Sequence, residues 1–443
     1  MIYMVIVPIL PSLLNSSNQD QLDSNRSSQS SIGQQTYGPQ NRNTSTSNSS
    51  DGAEEYIYDH ADNEDMSLTL IFAIKAILQL FVSPMSGYVI DQFGSKKSMF
   101  VGLSLLASST GLFAFSNRYG ILLSARCLQG IGSAFADTSG FSLIAETFTE
   151  IDERSTALGI SLAFISFGTL AAPPFGGIFY QLFGRRIPFL ILACIALGDL
   201  IFFLIISQYR NIDISECGSV DRKRAYTHAT PIWKLLMDPY IAICAGALSV
   251  ANICLAFIES TIAIWMMKTM KAQSWQIGFV WFPAFLPHWI GVYLSVWLMK
   301  HQTYRPWTIA ASGLLIEAIM CVFVPICTNY WVLMIPISGI CFGNAIIDTT
   351  ILPMVGHLTD TRHSPVYGSS YAIVDISYNL AYAMGPIVAG SIMHTIGFTY
   401  MNMIIFCVTI AYIPLMKRLD AIEFSKNDIK TTEIENLINN NGL

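Results

Sequence analysis

Runs of about twenty apolar residues recur eleven times along this chain, and that repetition leaves few folds open. They occupy 67–90, 97–115, 119–146, 155–181 and 187–206, and then, after a polar stretch at 208–237, 239–266, 275–299, 306–327, 330–356, 366–395 and 398–416. A helix rising ~1.5 Å per residue needs ~20 such residues to cross a ~30 Å hydrocarbon core, so each run is long enough to span a bilayer. Of 443 residues 52% are hydrophobic and only 12% charged, too few charges to cover a soluble protein of this size. The chain therefore reads as an all-α membrane protein whose first partner is the lipid bilayer. A net charge of −6 argues against nucleic acid, which selects a basic surface. Eight of nine cysteines sit in the apolar runs and read as small buried hydrophobes rather than a disulfide framework.

A shorter apolar segment, 1–14, spans only ~21 Å. It has no Lys or Arg and carries Pro8 and Pro11, which argues against a secretory signal, so it reads as a truncated first span of twelve. The predicted organisation is a truncated first span at 1–14, a disordered loop at 15–66, an N-terminal helical bundle at 67–207, a central loop at 208–237, a C-terminal bundle at 238–416 and a tail at 417–443. The 15–66 loop is rich in Ser and Asn, with nine acids and two arginines, and holds acceptor sequons at Asn15, Asn25, Asn43 and Asn48. With that loop lumenal, thirteen Lys and Arg flank the spans on the cytoplasmic side against five in short loops opposite. The tail, and both termini of a full-length protein, then face the cytoplasm. The tail carries an acidic dileucine pattern, Glu433 with Leu437 and Ile438, of the kind a clathrin adaptor reads.

The chain repeats itself. Gly132-x-Ala134-x-x-Asp137-Thr138 returns as Gly343-x-Ala345-x-x-Asp348-Thr349, 211 residues on, and Ala172-Pro173-x-x-Gly176-Gly177 returns as Gly385-Pro386-x-x-Ala389-Gly390, 213 residues on. Duplicated halves are the design of a transporter, with a site at the midplane between two bundles. A channel is more naturally a ring of subunits, and a receptor gains nothing from repeated halves. No Ser-His-Asp constellation and no His-rich set shares a face, so neither an enzyme nor a metal or cofactor site is expected.

Gly87-Tyr-Val-Ile-Asp91-Gln-Phe-Gly94-Ser-Lys96-Lys97 places small residues, an acid and cations around a tight turn between two spans. Arg126-x-x-Gln129-Gly130-x-Gly132 follows, and then Gly168-x-x-x-Ala172-Pro173-x-x-Gly176-Gly177. These resemble the signature loop and the antiporter motif of the major facilitator superfamily, a two-bundle helical transporter fold. The same glycines also suit plain helix packing. Longer strings, at 1–9, 134–140, 162–168, 238–242, 283–288 and 375–382, resemble the cholinergic members of the vesicular amine transporter family. An Asp-Asn pair that precedes the first string in that family is absent here. The resemblance implies a proton-coupled antiporter that loads acetylcholine into acidic synaptic vesicles in exchange for lumenal protons. A vesicular monoamine/proton antiporter is the alternative.

Ionisable residues inside the runs are Lys75, Arg126, Asp137, Asp199, Glu259, Glu317, Asp348 and Asp375. Each costs ~2.5–3.5 kcal/mol facing lipid at mid-bilayer, so most should face the interior. The resemblance makes Asp348 the transport carboxylate and implies an ion pair between Lys75 and Asp375. Asp137 suits proton coupling and helix packing equally; Glu259 matches a family acid; Glu317 fits no family pattern. A quaternary ammonium donates no ordinary hydrogen bond and is held by aromatic faces, for which Trp281, Phe285, Tyr378 and Tyr382 are the candidates, in two pairs spaced four apart. Ordinary packing explains such stripes as well. His288, in the same run as Trp281, suits a proton relay or a satisfied polar contact.

Overall fold

The structure, a computed structural model, describes residues 51–115, 118–148, 150–184, 186–214, 231–301, 304–363 and 367–421. The described part is built from helices α1 (Asp51–Phe93), α2 (Ser95–Phe115), α3 (Tyr119–Thr147), α4 (Ile151–Phe183), α5 (Arg186–Ile214), α6 (Ile232–Met237), α7 (Pro239–Met270), α8 (Ser274–Phe279), α9 (Phe285–Lys300), α10 (Pro306–Phe323), α11 (Tyr330–Arg362), α12 (Gly368–Met384), α13 (Gly390–Thr395) and α14 (Phe398–Met416). Ten segments have the length and hydropathy to cross a membrane. The run at 119–146 is not among them, although its 29-residue helix is long enough. Its inward face carries Arg126, Gln129, Ser133 and Thr138 among small residues, and these lower its hydropathy because they pack against protein rather than lipid.

Chain reversals follow local chemistry. Gly94 adopts φ 90°, a left-handed conformation that a side chain disfavours, and so turns α1 into α2. Asp238 caps α7 by accepting from the Tyr240 amide at 3.0 Å, with Pro239 following it. Asn329 caps α11 through the Trp331 amide at 2.9 Å. Two spans are broken. Pro283 interrupts α8–α9 with a 3₁₀ turn (Phe282–Ala284), and Gly385–Ala389, which includes Pro386, forms a π-helical turn between α12 and α13. A π turn is a frequent mark of function, and here it falls on the repeated proline motif.

Two boundaries differ from the sequence expectation. Helix α1 is already formed at Asp51, inside the stretch read as disordered, where Ala53, Glu54 and Glu55 are good helix formers. Helix α5 runs on to Ile214, past the predicted bundle edge at 207.

The repeat is a packing device. A methyl placed on Gly132 would lie 3.1 Å from the Gly102 carbonyl oxygen, where α3 crosses α2, and one on Gly343 would lie 2.7 Å from that of Gly313, where α11 crosses α10. Both members of the second contact stand 211 residues beyond the first (102 to 313, 132 to 343). Gly343→Leu is therefore expected to destabilise the C-terminal bundle by ~1–3 kcal/mol through overpacking. Gly140→Ala, with no atom within 4 Å of the added carbon, serves as the control. Thermal unfolding of the detergent-purified protein checks this; equal midpoints would show that the α10–α11 crossing is not tight.

The bundles meet along α1–α12, α3–α12, α4–α9 and α4–α11. Several of the candidate residues lie along those four lines.

Candidate functional site

One end of the inter-bundle seam is closed by polar contacts. Asp91, at the end of α1 and 2% exposed, accepts from the backbone N–H of Ser369 at 3.0 Å and from its hydroxyl, at the start of α12. Gly87 permits this approach, because a methyl there would lie 2.7 Å from the Ala372 Cβ. Arg154 of α4 is buried and donates to Asp360 of α11 at 2.6 Å, to Tyr367 Oη at 3.1 Å and to the Phe148 carbonyl at 3.0 Å. Tyr367 in turn donates to Asp360. Burial and the Asp360 acceptor push the Tyr367 hydroxyl up, so it remains the donor at neutral pH. Within the C-terminal bundle, Arg362 donates to Asp238 at 2.8 Å and His363 lies 3.1 Å from the same oxygen. Burial pushes the Asp238 carboxyl up, but Arg362 and the Tyr240 amide hold it below the usual carboxylate range. The end of α11 is thereby tied to the start of α7.

Deeper in the seam, Lys75, Gln79 and Ser83 recur at intervals of four along α1 and so share one face. Gln79 donates to Asp137 of α3 at 3.0 Å and to Asp375 of α12 at 2.9 Å, so one amide bridges acids from both bundles. Asp375 also accepts from Ser83 and from Asn379 at 3.0 Å. Lys75 lies in the field of both acids, Asp137 the stronger. The sequence reading gave Lys75 one partner; the fold sets two carboxyls around it. Asp137 is exposed despite its depth, as a group lining an open space between bundles is.

Asp348 sits midway along α11, between Pro336 and Pro353, neither of which donates to the helix ladder. It is 8% exposed and accepts from Asn344 Nδ2 at 3.1 Å, while Tyr378 of α12 and Asn252 of α7 lie within polar reach. Tyr378 faces Asp348, Asp375 and Tyr382, which places it between the two acids. The other aromatic pair lies elsewhere: Trp281 and Phe285 pack against a core cluster separate from that of Tyr378. Phe285 meets Phe167 of α4 at 5.1 Å, so Phe285 lines the seam between the bundles. His288 bridges there too, its Nε2 2.8 Å from Ser166 Oγ, and Trp289 donates to the Ala163 carbonyl at 3.2 Å. Glu259 is half-buried on α7. Asp199 lies exposed on α5, against the expectation that such acids face inward.

Arg126 is fully buried, donates to Gln129 at 3.0 Å and sits 5.6 Å from the centre of the Phe113 ring. Gly130 lets α1 pass, since a methyl there would lie 2.7 Å from the Lys75 carbonyl. Lys96 starts α2 beside the Gly94 turn, and Gly168, Pro173 and Gly177 lie within the continuous helix α4.

Residues 1–373 match the Major Facilitator Superfamily. Over 420 residues the chain is 46% identical to the vesicular acetylcholine transporter unc-17 of Caenorhabditis elegans, an alignment covering 94% of this chain and 75% of that one. The chain belongs to the vesicular acetylcholine transporter family. It is likewise 45% identical to the Drosophila melanogaster vesicular acetylcholine transporter, covering 95% and 69% of the two chains. Against a probable vesicular acetylcholine transporter-B of Danio rerio it is 50% identical, covering 80% and 70%. Among solved structures, the human organic anion transporter MFSD10 matches with a TM-score of 0.68 at 16% identity, covering 94% of this chain and 95% of that one, a likeness of fold.

For this member of the vesicular acetylcholine transporter family, sequence reasoning found the acids but missed their neutral partners. Gln79, Ser83 and Asn252 stand in no motif, and Asn344, Ser166 and Asn379 lie inside motif strings without having been singled out. A polar stripe spaced by four on an otherwise apolar helix, as at Lys75, Gln79 and Ser83, is the signal that was there to be read. Arg154, counted only for its side of the membrane, forms an ion pair between the bundles. Asn15, Asn25, Asn43, Asn48, Glu433, Leu437 and Ile438 lie outside the described residues.

Proposed function

We propose that the chain is a proton-coupled antiporter that loads acetylcholine into acidic vesicles in exchange for lumenal protons. Asp348 carries this reading. It is a carboxyl deep in a bundle, partnered by neutral groups, and it can hold either a proton or an organic cation. Acetylcholine keeps its charge at every pH, so competition between substrate and proton falls on the acids of the protein. Tyr378 and Tyr382 offer ring faces near Asp348, and Phe285, four residues after Trp281, offers one on the seam. The names of the relatives support the substrate.

In the expected topology the Asp91 and Arg154 contacts close the cytoplasmic end, and the state described is shut on that side. Opening it breaks charge-assisted hydrogen bonds worth ~1.5–3 kcal/mol each, a cost that proton or substrate binding at the midplane must offset. Proton release to the cytoplasm, substrate binding, rocking of the bundles and lumenal protonation complete the exchange.

Uptake of labelled acetylcholine, dopamine and serotonin into acidified vesicles carrying the protein tests the reading. Acetylcholine uptake should dominate and collapse with the pH gradient, and Trp281→Ala should weaken acetylcholine binding by ~0.5–2 kcal/mol. Monoamine uptake exceeding that of acetylcholine, with acetylcholine indifferent to Trp281→Ala, would refute the cholinergic assignment.

A further inference from the structure

Glu317 has no place in the exchange as described. It lies on α10 with 0% exposure, and neither carboxyl oxygen has a hydrogen-bond partner of normal geometry. It sits at the α10–α11 crossing, where a methyl on Gly343 would lie 3.1 Å from its Cβ. From α7 the Cys254 thiol is set against it. From α11 come Asp348 and Cys341, the latter also near Glu259 of α7. On α10 itself, Cys321 follows one turn later and donates to Asn402 of α14 at 3.1 Å. No basic group is recorded acting on Glu317 among the described residues.

Packing does not call for an acid. The first half of the chain builds the same glycine-mediated crossing, and 211 residues before Glu317 it has Leu106. An apolar side chain fills the matching place there. A carboxylate stripped of water and facing another acid is strongly disfavoured, whereas a carboxyl carrying a proton is tolerated.

We propose that Glu317 is a second proton-binding carboxyl of the C-terminal bundle, tied electrostatically to Asp348 so that ionisation of either opposes that of the other. This rests on the antiporter reading above. Two acids in one poorly screened bundle titrate as a pair, in two steps belonging to neither alone. Protonation of Asp348 permits Glu317 to ionise, and ionisation of Asp348 holds the proton on Glu317. Glu317 acts through Asp348 and makes no contact with substrate.

The test is the pH profile of acetylcholine uptake into vesicles whose external and internal pH are set independently. Glu317→Gln keeps the shape of the side chain and cannot titrate. It should reach the vesicle in normal amount and narrow the profile to one step, the upper of the two being lost, because a single carboxyl then titrates in place of a pair. Glu317→Asp should restore the broader, two-step profile. A Glu317→Gln profile superimposable on that of the unmodified protein overturns the proposal. Uptake by the unmodified protein that ignores pH overturns instead the antiporter reading beneath it. Should Glu317→Gln fail to fold, infrared difference spectra between acid and neutral pH, on the purified protein and on Glu317→Asp, decide. A protonated-carboxyl band altered by Glu317→Asp supports the proposal, and identical bands reject it.

Discussion

Asp348→Asn is expected to reduce gradient-driven acetylcholine uptake to background while the protein still folds and reaches the vesicle. The substitution preserves shape, and the new amide still finds Asn344, Asn252 and Tyr378 as polar neighbours, so the cost to folding should be small. What disappears is the charge. Asn cannot take up a proton, and it offers an organic cation none of the attraction that a carboxylate gives in a poorly screened interior. Losing a charge-assisted contact of ~3 kcal/mol weakens binding by about a hundredfold, and losing titration uncouples what remains from the gradient. Asp348→Glu should keep partial activity, because it titrates but is longer by one methylene. Uptake in proteoliposomes with an imposed pH difference, normalised to the amount of folded protein, measures this. Gradient-driven uptake by Asp348→Asn within a few-fold of the unmodified protein would move proton coupling to another acid.

How far the chain could be read in advance depended on whether the needed interaction was local. Spans were legible because crossing a bilayer imposes length and apolarity on each helix separately. The run at 119–146 is long enough and yet falls short on hydropathy, since part of its polar face meets α1 and α2, as Asp137 meets Gln79 and Ser142 meets Ser95. The repeat could be recognised from two motifs, but its role, a pair of glycine crossings 211 residues apart, needed the helices placed beside one another. Asp348 and Asp375 stood out because an acid in an apolar run demands an explanation. Their donors did not. Ser104, Ser108 and Thr169 bond the carbonyl four residues back on their own helices, the ordinary fate of a hydroxyl in a span. Ser83 does this too, yet also reaches Asp375 across 292 residues, and nothing local separates it from the others. The same holds for Arg154, whose acid lies 206 residues away.

The Lys75 cluster tests whether the bundles are joined by balanced charge. Lys75→Gln removes the positive group and leaves Asp137 and Asp375 linked through a single amide, Gln79, with no cation from α1 between them. A buried charge left without its counterpart costs ~3–5 kcal/mol, enough to lower folded yield severely and to abolish transport. Asp375→Asn in the Lys75→Gln background removes one of the two acids, and Gln79, Ser83 and Asn379 can still find acceptors: Gln79 in Asp137, Ser83 in the Gln79 carbonyl and Asn379 in the Asp375 carbonyl. The double variant should therefore regain most of the folded yield lost in Lys75→Gln, with a coupling energy of ~1–3 kcal/mol between the two sites. Asp137→Asn in the same background separates the two acids as partners. Because Asp137 is the stronger neighbour of Lys75, its neutralisation should restore at least as much. Folded yield by size-exclusion chromatography and thermal midpoints for the three single and two double variants supply the two cycles. Double variants no more stable than Lys75→Gln alone would show that Lys75 is not held by these acids, and that the neutral bridge through Gln79 joins the bundles unaided.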